Sequence, residues 1–114
     1  MKVTITDEER QALDDAHAGI TALVKSTGNQ GSRATEWACV FRAPSRLEWK
    51  RFVQTREKDV HSAVEAIFRS TCIFPPKATL EELLDQPGCA GIPFACVDAI
   101  AALTGVEGTT ALAK

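Results

Sequence analysis

The chain has no long apolar run, little net charge and no cysteine pattern of a stapled domain, and each shortage removes a class of protein. No window approaches the ~20 consecutive apolar residues of a spanning helix, so no membrane span is expected. The 13 Lys and Arg residues against 15 Asp and Glu leave a formal net charge of -2. Such a balance sets up no strong field toward phosphates or an anionic membrane, so nucleic acid is not an expected partner. The opening Met1 to Glu9, MKVTITDEE, lacks the apolar stretch of a signal peptide. Cys39, Cys72, Cys89 and Cys96 have neither the density nor the spacing of a disulfide framework. Reduced thiols in an intracellular setting are the expectation.

Signatures of catalysis are missing as well. There is no glycine-rich phosphate loop, no G-x-S-x-G elbow and no H-E-x-x-H. Structural zinc sites draw on closely spaced ligand pairs, whereas the nearest cysteines, Cys89 and Cys96, have six residues between them. Cys96 falls inside a helical pattern and Cys39 on an aromatic strand face, positions that favour burial over nucleophilic work. His17 ends a helix, where a cation suits the dipole, and His61 only borders an apolar stripe. Glu81, Glu82 and Asp85 invite a paired-carboxylate reading, but the first two sit where a helix start stabilises negative charge. The basic cluster Arg42, Arg46, Lys50, Arg51 and Arg56 lies near Trp37 and Trp49, yet Glu36, Glu48 and Glu57 offset it, so it reads as a solvated face.

What is present is the composition of an ordinary globular domain, 45% hydrophobic and 25% charged over 114 residues. A domain of this length buries roughly two thirds of its unfolded surface. Thr6 and Glu9 form a capping box that predicts a helix over 7–17. After Gly19 the run Ile20-Thr-Ala-Leu-Val24 reads as a strand, and Glu36 to Arg42 as a second one. In the latter, Trp37, Cys39 and Phe41 share one face, while Ala38, Val40 and Arg42 share the other. The two strands, 19–25 and 36–42, are expected to pair as a β-hairpin across a flexible polar loop at Gly28 to Arg33. Pro44 stops the second strand, and the box Ser45 with Glu48 predicts a helix over 45–56. Ala63, Val64, Ile67 and Phe68, with Val60, repeat at helical spacing and predict a helix over 58–70. Pro75-Pro76 interrupts, and Thr79 with Glu82 suggests a third box and a helix over 79–85. After Pro87-Gly88, Pro93 stands at a first helical turn, and Phe94, Val97, Ile100, Ala101 and Leu103 extend that helix over 93–104.

The fold class expected is therefore α+β, a single domain over residues 1–105 in which one β-hairpin packs with about five short helices. It is predominantly helical, with a mobile tail at 106–114. A lone hairpin is marginal in water, so helices must cover at least one of its faces.

Two segments resemble the tail assembly chaperones of long-tailed bacteriophages. One is Cys39-Val-Phe-Arg-Ala-Pro-Ser-Arg-Leu-Glu-Trp-Lys-Arg-Phe52. The other is Cys72-Ile-Phe-Pro-Pro76, followed by Pro87-Gly-Cys-Ala-Gly-Ile-Pro93 and the stretch Ile100 to Gly105. Arg42, Pro44, Pro75, Ala90, Gly91, Pro93 and Gly105 stand where that family has its strand-end arginine, its prolines and the turn opening its last helix. The resemblance implies a non-catalytic protein without cofactor or metal that acts in the host cytoplasm. There it would hold the tape-measure protein soluble until tail-tube subunits polymerise, and it would be absent from the finished particle. It leaves room for contact with tail-tube protein, for self-association into a homo-oligomer, and for a longer frameshifted product. Holding a partner reversibly calls for apolar surface on a rigid scaffold. The second face of the hairpin is one candidate, and Trp37, Phe41, Arg42 and Trp49 are the candidate protein-binding residues, with Trp37, Phe41 and Trp49 each reading equally as core. Two other readings remain open: a structural virion subunit of the head-completion or baseplate kind, and a small thiol or metal enzyme using Cys89 and Cys96 with one histidine.

Overall fold

The computed structural model describes residues 2–26 and 36–105. Within them the order is α1 (Asp7–Ala16), β1 (Thr21–Lys25), β2 (Ala38–Arg42), α2 (Arg46–Arg56), α3 (Val60–Thr71), β3 (Cys72–Phe74), α4 (Lys77–Leu84) and α5 (Ile92–Ala102). The α+β class holds, but the sheet has three strands in the order β1-β2-β3, all antiparallel. The expected lone hairpin is thus corrected by β3, which follows α3 without an intervening residue and is too short to show any alternation. The loop at Gly28 to Arg33 and the tail at 106–114 lie outside the described residues.

Two of the three expected capping boxes form. Thr6 Oγ1 accepts the Glu9 N–H and the Glu9 carboxylate accepts the Thr6 N–H, and Ser45 with Glu48 does the same at the start of α2. Each satisfies two amides that helix geometry leaves free. The third does not form. Pro76, with φ -56° and ψ 153°, already supplies the cap geometry, its carbonyl accepts the Leu80 N–H at 2.9 Å, and Thr79 falls inside α4. A cap unforeseen in the sequence opens α3, where Asp59 accepts the Ser62 N–H at 3.1 Å.

Strand β2 is the middle of the sheet and is covered on both sides, with Ala38 at 5% exposure and Cys39, Val40 and Phe41 at 0%. One face meets the helices. Phe41 packs on Phe68 of α3 with ring centroids 5.5 Å apart, beside Phe52, Ile67, Leu83, Cys96 and Ile100. Fully burying a ring such as Phe41 is worth roughly 1.5–3 kcal/mol. Helices α2 and α3 form an antiparallel hairpin, and α5 packs on α3 and against β1.

On the opposite face α1 meets β1 at Thr21. Thr21 on β1 donates to Asp14 and lies 3.5 Å from a terminal nitrogen of Arg10. The residues before α1 run alongside the residue stretch that leads into β2. The Trp37 carbonyl accepts from Ser26 on the β1 side, so alternation turns the Glu36 carbonyl to the other edge, where the Val3 N–H donates to it at 2.8 Å. Val3, at 5% exposure, closes the core there, in line with β3.

Candidate functional site

The four residues expected to meet a partner occupy different environments. Phe41 is fully buried and is corrected to a core residue: period-two alternation fixes which side chains share a face but not which face the helices cover. Arg42 is committed to a joint inside the fold, with both terminal nitrogens on Glu48 at 2.8 Å and one of them on the Ser70 carbonyl at 2.8 Å. Trp37 is half-buried against the core. Trp49, also half-buried, stacks on Phe52 with centroids 5.0 Å apart, and the Arg56 guanidinium lies over the Phe52 ring at 5.7 Å. The second face of the hairpin is likewise closed at Ala38 and Val40.

Apolar surface is found elsewhere. Val60 is 53% exposed and Phe94 44%, and the His61 ring lies 5.8 Å from the Phe94 ring, so the first turns of α3 and α5 meet at His61 and Phe94, with Val60 exposed on the first of them. The periodicity had placed Val60 and Phe94 on core-facing stripes. In α5 the buried positions are instead Ile92, Pro93, Cys96 and Ile100, a repeat of four that turns Phe94 outward. Val60 is the first residue of α3 and precedes the stripe Ala63, Val64, Ile67 and Phe68. Leu47 and Ile20, 55% and 50% exposed, are placed on α2 and before β1.

The cysteines divide differently from the pairing of Cys89 with Cys96. Cys39 and Cys72 lie on neighbouring strands, and the Cys72 thiol donates to the Phe74 carbonyl at 3.1 Å. The neighbouring Cys72 thiol and burial push the Cys39 thiol up, the Cys39 thiol draws Cys72 below the ordinary thiol range, and burial pushes Cys96 up to about 12. Cys89 is buried at 4% exposure, and His61 stands against Phe94. Among the described residues no three His, Cys, Asp or Glu side chains converge as a metal centre requires. No described helix is long and apolar enough to cross a membrane.

Two of the open clefts among the described residues stand out by volume. One, of about 600 Å³, runs between the residues leading into α1 and the sheet, with Ile5, Arg10, Leu23, Lys25 and Trp37 on its walls. The other, of about 490 Å³, lies between α3 and α4 and is lined by Ala66, Arg69, Cys72, Lys77 and Leu80 among others.

The chain finds no match among protein-family models, curated proteins or solved structures. The functional reading therefore rests on the residues and on their geometry.

Proposed function

We propose that the protein is a phage tail assembly chaperone that holds tape-measure protein soluble while the tail tube polymerises, acting in the host cytoplasm without catalysis. The observation that carries this reading is the pair of exposed apolar side chains Val60 and Phe94 beside His61, at the first turns of two helices packed on each other. Apolar groups held outward on a rigid scaffold suit reversible capture of an apolar segment, since their burial stabilises the complex while the scaffold loses little entropy. The segments that carry the family resemblance support it further. Arg42 and Pro44 make the turn from β2 into α2, and Gly91 with Pro93 opens α5, so the resembling residues are the joints on which this shape depends.

Co-expression with a phage tape-measure protein tests the reading. Increased solubility of that protein and a co-purifying complex are the expected results. An unchanged soluble fraction with no complex overturns the reading. Recovery of the chain from purified virions by mass spectrometry would favour a structural subunit instead.

A further inference from the structure

We infer that the outer edge of β1 is a self-association site, at which a second copy of this chain pairs antiparallel with Thr21–Lys25 around a two-fold axis through Leu23. In the order β1-β2-β3, strand β1 is an edge. The Ser26 N–H donates to the Trp37 carbonyl, so alternation turns the backbone groups of Ala22 and Val24 toward β2 and those of Thr21, Leu23 and Lys25 away from it. Among the described residues nothing bonds to these outward N–H and C=O groups. Lys25 at the end of the strand is exposed, and the residues from Thr21 to Val24 are half-buried. Such a row of unpaired backbone groups is a template for another strand.

An identical copy fits this template. With Leu23 on the axis, its N–H and C=O meet those of the partner's Leu23, and Thr21 stands opposite the partner's Lys25, so the outward groups pair throughout and the two sheets join into one. Charge favours this register. The Thr21 hydroxyl donates to Asp14 Oδ1 at 2.5 Å, and the partner's Lys25 lies one cross-strand spacing from Thr21 on the same face, which brings its ammonium to the Asp14 carboxylate. Asp14 has no salt bridge among the described residues, and Arg10 nearby is directed to Thr21 Oγ1, at 3.5 Å. The symmetry makes the same pair a second time. A lysine on a strand edge ordinarily discourages pairing, but here it has an acid to meet.

Sedimentation equilibrium and amide hydrogen exchange on the full chain, across a concentration series, test the site. A contact between two short strands is smaller than a standard interface, so a dimer that dissociates on dilution is expected, with protection of the Leu23 and Lys25 N–H groups rising as it forms. Lys25→Glu sets like charges together twice and is expected to raise the dissociation constant about tenfold. The charge swap Asp14→Lys/Lys25→Glu is expected to restore it. Leu23→Pro removes an outward N–H without touching a bond to β2 and is expected to be monomeric. A wild-type chain that stays monomeric at ~1 mM overturns the proposal. So does a dimer that leaves the Leu23 and Lys25 amides unprotected, one that Lys25→Glu does not weaken, or one lost in Val60→Ser/Phe94→Ser, which leaves β1 untouched. These readings come from the wild-type chain and from exposed side chains, so they do not depend on the proline variant folding.

Discussion

Arg42 holds Glu48 with both terminal nitrogens, Nη1 to Oε1 and Nη2 to Oε2, each at 2.8 Å. The same carboxylate accepts the Ser45 N–H at 2.7 Å as one half of a capping box, and Nη2 also donates to the Ser70 carbonyl at 2.8 Å. One ion pair thus ties the end of β2 to the start of α2 and the end of α3. Its side chains are 30% and 22% exposed, between a solvated pair worth little and a fully buried one. Arg42→Ala also strips a donor from the Ser70 carbonyl, and the expected loss is about 2 kcal/mol. Arg42→Lys is expected to recover less than half of this, because an ammonium cannot reproduce the two-pronged grip. Urea unfolding at neutral pH measures both.

The same pair sets an acid limit on stability. The Arg42 hydrogen bonds hold the Glu48 carboxyl at about 2, against 4.5 for the free group. A carboxyl whose folded pKa is depressed contributes stability that is present above its unfolded value and is lost as pH falls through the folded one. The contribution of Glu48 is therefore complete above pH 4.5 and disappears between there and about 2. Glu48→Gln is expected to be less stable at neutral pH and to show a shallower decline across that window. Urea midpoints at steps across the window read the difference, and parallel curves for the two proteins would count against it.

The turn after α1 contains a correctable strain. Ala18 has φ 57° and Gly19 φ 75°, and the Gly19 N–H closes the helix by donating to the Asp14 carbonyl at 2.7 Å. A left-handed backbone costs an L-residue roughly 1–2 kcal/mol. Glycine removes that cost but gives the unfolded chain back ~0.4–1 kcal/mol of entropy. The strain is the larger of the two, so Ala18→Gly is expected to stabilise the domain by about 0.5–1 kcal/mol. Ala18→Val, β-branched at the same φ, is expected to lower stability. Thermal unfolding of the three proteins ranks them.

Apart from the pairing of β1 with β2, the parts of this fold legible in the sequence are those written within four residues of each other. The boxes Thr6 with Glu9 and Ser45 with Glu48 are read from spacing alone, as is the sharing of one face by Cys39 and Phe41. Strand β3 is invisible because three residues cannot display a period. The Thr79 box misleads because a motif does not reveal that Pro76 has already begun the helix. The tie from Arg42 to Ser70 spans 28 positions, and the placing of Cys39 and Cys72 on neighbouring strands needs the sheet register. The candidate site failed in the same way. Alternation put Phe41 with Trp37 on a face but gave no sign that α3 would cover it, and the Phe94 position in α5 depends on which of two overlapping apolar stripes meets α3.

Surface and core variants separate partner binding from folding. Phe94→Ser and Val60→Ser change side chains that are 44% and 53% exposed, so each is expected to move stability by no more than about 0.5 kcal/mol. Phe41→Ala empties a fully buried site against Phe68 and is expected to cost about 3–5 kcal/mol. If the Val60, His61 and Phe94 surface holds the tape-measure protein, the double variant Val60→Ser/Phe94→Ser loses co-purification of that protein while keeping its unfolding midpoint. A Trp49→Ser variant is the control that decides between surfaces. Trp49 is half-buried in its stack on Phe52, so its loss is expected to lower stability and, at temperatures where the variant stays folded, to leave capture intact. Capture that survives the double variant but fails with folded Trp49→Ser would move the binding surface from α3 and α5 to α2.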